Sequence, residues 1–122
     1  MARRLSEQRS FHAPPINLLI QVALVPEPSK GGVDPDGLKE LAAQIRDLPR
    51  TRLRGLMCVP PPQPTVAAER AIFSRLRKLL EELNGLGYGL DTLSMGMSGD
   101  YESAIAEGAT HVRIGTALFG SR

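Results

Sequence analysis

A chain of 122 residues with 42% hydrophobic and 23% charged residues can bury one core and has too much apolar content for a disordered chain. No apolar run approaches the ~20 residues of a membrane span, and residues 1–9 are basic and polar with no apolar stretch behind them, so neither a membrane partner nor secretion is supported. A formal net charge of +2, aromatic content of 4% and no interleaving of arginine with aromatics argue against nucleic acid; the single cysteine, Cys58, rules out an internal disulfide and suits a reducing compartment.

Residues 2–9 read as the end of a helix and 10–15 as a loop. Residues 16–22 are almost continuously apolar, the pattern of a parallel strand covered on both faces. Asp34-Pro35 then offers an N-cap followed by proline at the first helical position, and Leu38, Leu41, Ala42 and Ile45 recur at helical spacing. Residues 53–59 form the next expected strand, stopped by Pro60-Pro61-Pro62. A longer helix is expected over 65–83, burying Ile72, Leu76, Leu79, Leu80 and Leu83 while Arg70, Arg77, Lys78 and Glu81 stay wet. Residues 92–95 read as a short buried strand ending at Gly96-Met97-Ser98, with a helix behind it from about 99 to 107. A last strand at 110–114 leads into Gly115-Thr116 and a short helical turn around 117–119. Four alternating strand–helix units predict an α/β fold with a parallel sheet and right-handed connections.

The C-terminal thirty residues place two strand–glycine turns beside two helix starts. A helix N-terminus exposes unpaired backbone N–H groups at the positive end of the macrodipole, so this arrangement suits a phosphate. His12 and His111 lack metal-ligand spacing, and Cys58 has no histidine near it in sequence, so it reads as a buried small hydrophobe rather than a nucleophile.

The run GMSGDYESAIAEGATHVRIGTALFG at 96–120 resembles the C-terminal signature of the pyridoxal-phosphate homeostasis proteins, a family related to the barrel domain of alanine racemase. The likeness extends upstream through Ile16-Asn17-Leu18-Leu19-Ile20-Gln21-Val22, Ser29-Lys30-Gly31-Gly32 and Leu53-Arg54-Gly55-Leu56-Met57-Cys58-Val59-Pro60, and so covers nearly the whole chain with its motifs in order. It implies a fold-type III, pyridoxal 5′-phosphate-binding (β/α)₈ TIM barrel. Because such a barrel takes about 250 residues, the chain corresponds to half of one. The resemblance makes it the C-terminal half, about strands 5–8. The N-terminal half, which carries the family's Schiff-base lysine, would be absent.

The resemblance also implies the site. Ser98 follows strand 7 and Gly115-Thr116 follow strand 8, where barrels often hold phosphate. Ser98 would offer a hydroxyl and an N–H, its alternative role being a helix N-cap; Gly115 would admit the backbone to an anion, and Thr116 would donate from hydroxyl and backbone. Met97 and Ile114 complete the cofactor-binding set beside them. Arg113 would face the pyridine nitrogen. A guanidinium cannot accept a hydrogen bond from a pyridinium, so the ring nitrogen would stay unprotonated, which weakens the cofactor as an electron sink and fits a carrier better than a catalyst. The alternative for Arg113 is a structural ion pair. Lys30 would lie on the rim, although Gly32 stands where the family has serine, a change expected to loosen that loop. Met57 is expected at the pocket wall or in the core, and Gly96 in the turn.

The implied role is to bind, buffer and hand over pyridoxal 5′-phosphate in the cytoplasm, with no established turnover. An amino-acid racemase or decarboxylase of the same barrel class is an alternative that needs the absent lysine. A half-barrel module for association is another. In either case the expected partner is the missing N-terminal half-barrel or a second copy of the chain.

Overall fold

A computed structural model of the chain describes residues 16–25 and 32–113. Four parallel strands, β1 (Ile16–Gln21), β2 (Thr51–Met57), β3 (Thr92–Met97) and β4 (His111–Arg113), form one sheet in the order β1-β2-β3-β4. Between them run α1 (Leu38–Arg46), α2 (Val66–Gly85) and α3 (Tyr101–Ala106). Strand order that never reverses, joined by right-handed crossovers, puts every helix on the same face of the sheet. That is how a barrel wall is built, whereas a doubly wound sheet changes direction at a switch point.

The register separates the two faces. Ile20, Leu56 and Leu93 are paired across three strands and all are buried, together with Phe73, Leu76 and Leu83 of α2 and Leu38, Ala42 and Ile45 of α1. One residue further along, Gln21, Met57, Ser94 and His111 form a continuous row across all four strands. Successive side chains alternate between faces, so this row lies opposite the helices, and it is half-buried at three positions and exposed at His111. The expectation of a β1 covered on both faces is therefore corrected: among the described residues only Ile20 of this strand is buried, the others being half-buried or, at Asn17, exposed. Met57 belongs to the uncovered row, not to the helix-side core.

Local chemistry sets the element ends. Asp34 occupies the position before a 3₁₀ turn (Pro35–Gly37), and proline is the first residue as expected, but the Asp34 side chain makes no capping bond; α1 starts only at Leu38. Thr65 does cap α2, its hydroxyl accepting from the Ala68 N–H at 3.1 Å. Asn84, in the last turn of α2, bonds both ways to Leu90: its side-chain amide donates to the Leu90 carbonyl at 2.9 Å, and its carbonyl oxygen accepts from the Leu90 N–H at 2.6 Å. This fixes the entry into β3. At the same end of the sheet Arg54 grips Asp91 with two hydrogen bonds, 3.0 and 2.7 Å, and holds its carboxyl down to about 2. Thr110 seats β4 by accepting from the Leu93 N–H at 2.8 Å and donating to the Leu93 carbonyl at 3.1 Å.

Candidate functional site

The C-terminal ends of the strands form one rim, and three of the seven residues singled out in sequence can be placed there. Met97 and Arg113 are paired in register as the last described residues of β3 and β4, and Ser98 follows Met97 directly. All three are exposed, Met97 at 43%. Lys30, Ile114, Gly115 and Thr116 lie outside the described residues.

The turn after β3 is built from its own sequence. Gly96 adopts φ 105°, a backbone that residues with a Cβ rarely take, and a Cβ there would sit 2.7 Å from the Ala104 Cβ of α3 and 3.2 Å from Cγ1 of Val112. β3 continues through this glycine to Met97, two residues past the expected end. The chain then doubles back: the Asp100 carboxylate accepts from the Met97 N–H at 2.7 Å and the Asp100 N–H donates to the Met97 carbonyl at 3.1 Å. Because residues 98–100 are spent on this turn, α3 begins at Tyr101 instead of 99, and Asp100 occupies its N-cap position. Asp100, not Ser98, thus stands at the N-cap position, and its side chain makes no capping bond to α3.

Space and charge at the rim suit a phosphorylated aromatic ligand. A Cβ on Gly99 would meet nothing within 4 Å, so the outer side of the turn is open. Arg113 forms no ion pair among the described residues, which leaves its structural alternative without support there. Two donors, a hydroxyl and a guanidinium, thus stand at the rim beside an exposed apolar thioether, a set compatible with phosphate and a heteroaromatic ring. Cys58, just past β2, is buried as expected; burial, with the Asp100 charge adding to it, pushes its thiol up to about 12, too high for a nucleophile. No group of three or more metal-ligating side chains is present among the described residues.

The loop after β1 returns to the sheet at residue 32. Val22 and Val33 form a parallel bridge, the Ala23 N–H donates to the Val33 carbonyl and the Val33 N–H to the Gln21 carbonyl, both at 2.9 Å. Gly32 lies so close beneath that a Cβ would be 2.9 Å from the Ala23 nitrogen. Glycine in place of the family's serine accompanies a tight approach at this position; the rest of the loop, residues 26–31, lies outside the described residues.

Sequence reading missed what lies behind the turn. A cleft of about 320 Å³ separates Val66, Glu69 and Arg70, at the start of α2, from residues 98–103. Two contacts bridge the same pair of elements: the Ser103 hydroxyl donates to Glu69 Oε1 at 2.8 Å, and Arg70 Nε donates to Glu107 Oε2 at 2.8 Å. Arg77 adds a second guanidinium 3.6 Å from Glu107, whose residue is only 9% exposed. The partners are 34 and 37 residues apart in sequence, and no local spacing rule pairs them.

The family model described as alanine racemase, N-terminal domain, matches residues 1–122. The chain belongs to this alanine racemase N-terminal-domain family. Within it, the chain is 57% identical over 122 residues to the pyridoxal phosphate homeostasis protein of Pseudomonas aeruginosa and 45% identical to that of Escherichia coli. In both cases it covers 100% of this chain and 52% of the relative, so the chain spans about half the length of the curated relatives it matches. Among solved structures, PipY of Synechococcus elongatus without PLP superimposes with a TM-score of 0.87 at 40% identity, covering 98% of this chain and 56% of PipY. PipY with PLP bound superimposes with a TM-score of 0.81 at 37% identity, covering 97% of this chain and 54% of PipY. The family's barrel-like α/β fold, its parallel sheet and pyridoxal phosphate as its cofactor follow from these likenesses. No helix among the described residues is long and apolar enough to cross a membrane.

Proposed function

We propose that this chain is the C-terminal half, about strands 5–8, of the barrel domain after which the family is named, and that it contributes the phosphate- and pyridine-binding loops of a cytoplasmic pyridoxal 5′-phosphate carrier. The observation that carries this reading is the likeness to PipY with PLP bound, taken with the exposed Met97–Ser98–Arg113 rim. The bound cofactor supplies an aldehyde conjugated to an electron-withdrawing ring. Ser98, Gly115 and Thr116 would hold its phosphate with hydroxyl and backbone donors. Met97 and Ile114 would flank it, and Lys30 would approach from the loop after β1. The Arg113 guanidinium has donors and no acceptor, so it would donate to an unprotonated ring nitrogen and could not accept a hydrogen bond from a protonated one; that favours an unprotonated, weakly activated ring. Buffering and transfer of the cofactor, without turnover, match that chemistry. The Schiff-base lysine would come from the complementary N-terminal half, which makes that half the expected partner, with a second copy of this chain as the substitute.

Equilibrium dialysis of the chain with pyridoxal 5′-phosphate tests the reading. Arg113→Gln and Ser98→Ala should each weaken binding by about 5- to 30-fold, the effect of one charge-assisted contact. Unchanged affinity in both variants would overturn it.

A further inference from the structure

We propose that Glu69 and Glu107 are positioning residues for the phosphate-binding turn, acting through Ser103 and Arg70 to hold α3 and residues 98–100 at a fixed distance from α2. The inference rests on the reading of that turn as the phosphate site. Three observations point to it. First, α3 has six residues, too few to be stable by itself, so its place is set by tertiary contacts. Second, a cleft of about 320 Å³ lies between the start of α2 and residues 98–103, so the turn is not packed directly against α2 there. The Ser103–Glu69 hydrogen bond and the Arg70–Glu107 pair span the two walls of that gap. Third, Glu107 stands just past the C-terminus of α3, where a carboxylate opposes the helix macrodipole. A buried carboxylate in so unfavourable a place is held by two guanidinium groups from α2, Arg70 and Arg77, so the ion pair ties one helix to the other.

The positions of the contacts explain a specific effect. Ser103 lines the cleft together with Ser98 and Gly99, Glu107 does not, and neither belongs to the paired Met97–Arg113 positions of the rim. A shift of α3 would move the 98–100 turn while leaving Arg113 on β4 in place. Phosphate recognition should then suffer and ring recognition should not.

The experiment measures affinity of the chain for pyridoxal 5′-phosphate and for pyridoxal, which lacks the phosphate, by equilibrium dialysis. Glu69→Leu and Glu107→Gln should weaken pyridoxal 5′-phosphate by about 5- to 30-fold and pyridoxal by less than about twofold, the phosphate carrying the difference. Glu69→Gln keeps an acceptor for the Ser103 hydroxyl and should restore near-native affinity. Circular dichroism establishes that each variant is folded, and Glu69, half-buried near the helix start, gives the variant least exposed to misfolding. Equal weakening of both ligands by Glu69→Leu would reduce its role to general stability and overturn the proposal. If Ser98→Ala weakens pyridoxal 5′-phosphate selectively while Glu69→Leu and Glu107→Gln do not, the turn is the phosphate site and the positioning role is wrong. If Ser98→Ala has no effect on either ligand, the site reading fails and the proposal with it.

Discussion

Replacing Gly96 by alanine adds a single methyl group at the junction of β3 and the rim. The substitution meets two obstacles. A left-handed backbone costs a residue with a Cβ about 1–2 kcal/mol, and φ 105° is no easier than the usual left-handed well. The new methyl would also lie 2.7 Å from the Ala104 Cβ and 3.2 Å from Val112 Cγ1, both on packed elements with no flexible side chain to swing aside. Overpacking of this kind costs about 1–3 kcal/mol. Together, Gly96→Ala should lower unfolding free energy by about 2–5 kcal/mol, a large share of the roughly 5–15 kcal/mol that holds a typical domain folded. Urea unfolding followed by circular dichroism reads this as a fall in midpoint. Gly99→Ala is the internal control: its Cβ would enter open space, and it should change stability by no more than about 0.5 kcal/mol. A Gly96→Ala chain as stable as its Gly99→Ala counterpart would refute the argument that α3 is packed against this glycine.

Two further outcomes are expected. The Asp91 carboxyl is held at about 2, below its ordinary 3.8, by hydrogen bonds from Arg54 and Thr92. A depressed carboxylate contributes stability above its unfolded pKa and loses it as pH falls through the folded one, so the contribution should fade between about pH 4 and pH 2; Asp91→Asn should flatten the stability profile in that window, and an unchanged profile would count against the pair. Light scattering at micromolar concentration should give a mass above that of one chain, because among the described residues nothing pairs with the outer edges of β1 and β4 beyond the Val22–Val33 bridge and no element packs on the Gln21–Met57–Ser94–His111 row; a non-aggregating monomer would contradict this.

Much of the fold was legible because periodicity reports burial. Ile72, Leu76, Leu80 and Leu83 at helical spacing are buried along α2 as read, and the four strands and the three helices between them appear in their expected order, the turn expected at 117–119 lying outside the described residues. Boundaries drifted where hydrogen bonding and apolarity part company. Thr51 and Arg52 are polar and still pair with Ile16 and Asn17, so β2 starts two residues before its apolar stretch and ends at Met57. Leu79 is only partly buried, being on the flank of the α2 stripe. At the rim, Ser98 and Arg113 were visible through a motif, whereas Glu69, Ser103 and Glu107 were not, because their pairing exists only once α2 and α3 are stacked. The facing row is mixed: alternation sends Ile20, Leu56 and Leu93 to the helices and leaves Gln21, Met57, Ser94 and His111 on the other face.

Cys58 gives the protein an intrinsic clock. Its thiol is 4% exposed just past β2, and its backbone N–H donates to the Ser94 carbonyl at 3.2 Å, where β2 and β3 adjoin beneath the rim. With burial pushing the thiol up to about 12, the reactive thiolate is on the order of 10⁻⁵ of the population at neutral pH. An alkylating reagent therefore has to wait for the strands to part, and its rate reports how often they do. Any ligand that binds the closed rim slows that clock in proportion to its occupancy, so one sulfur atom can follow both the breathing of the sheet and the arrival of a cofactor.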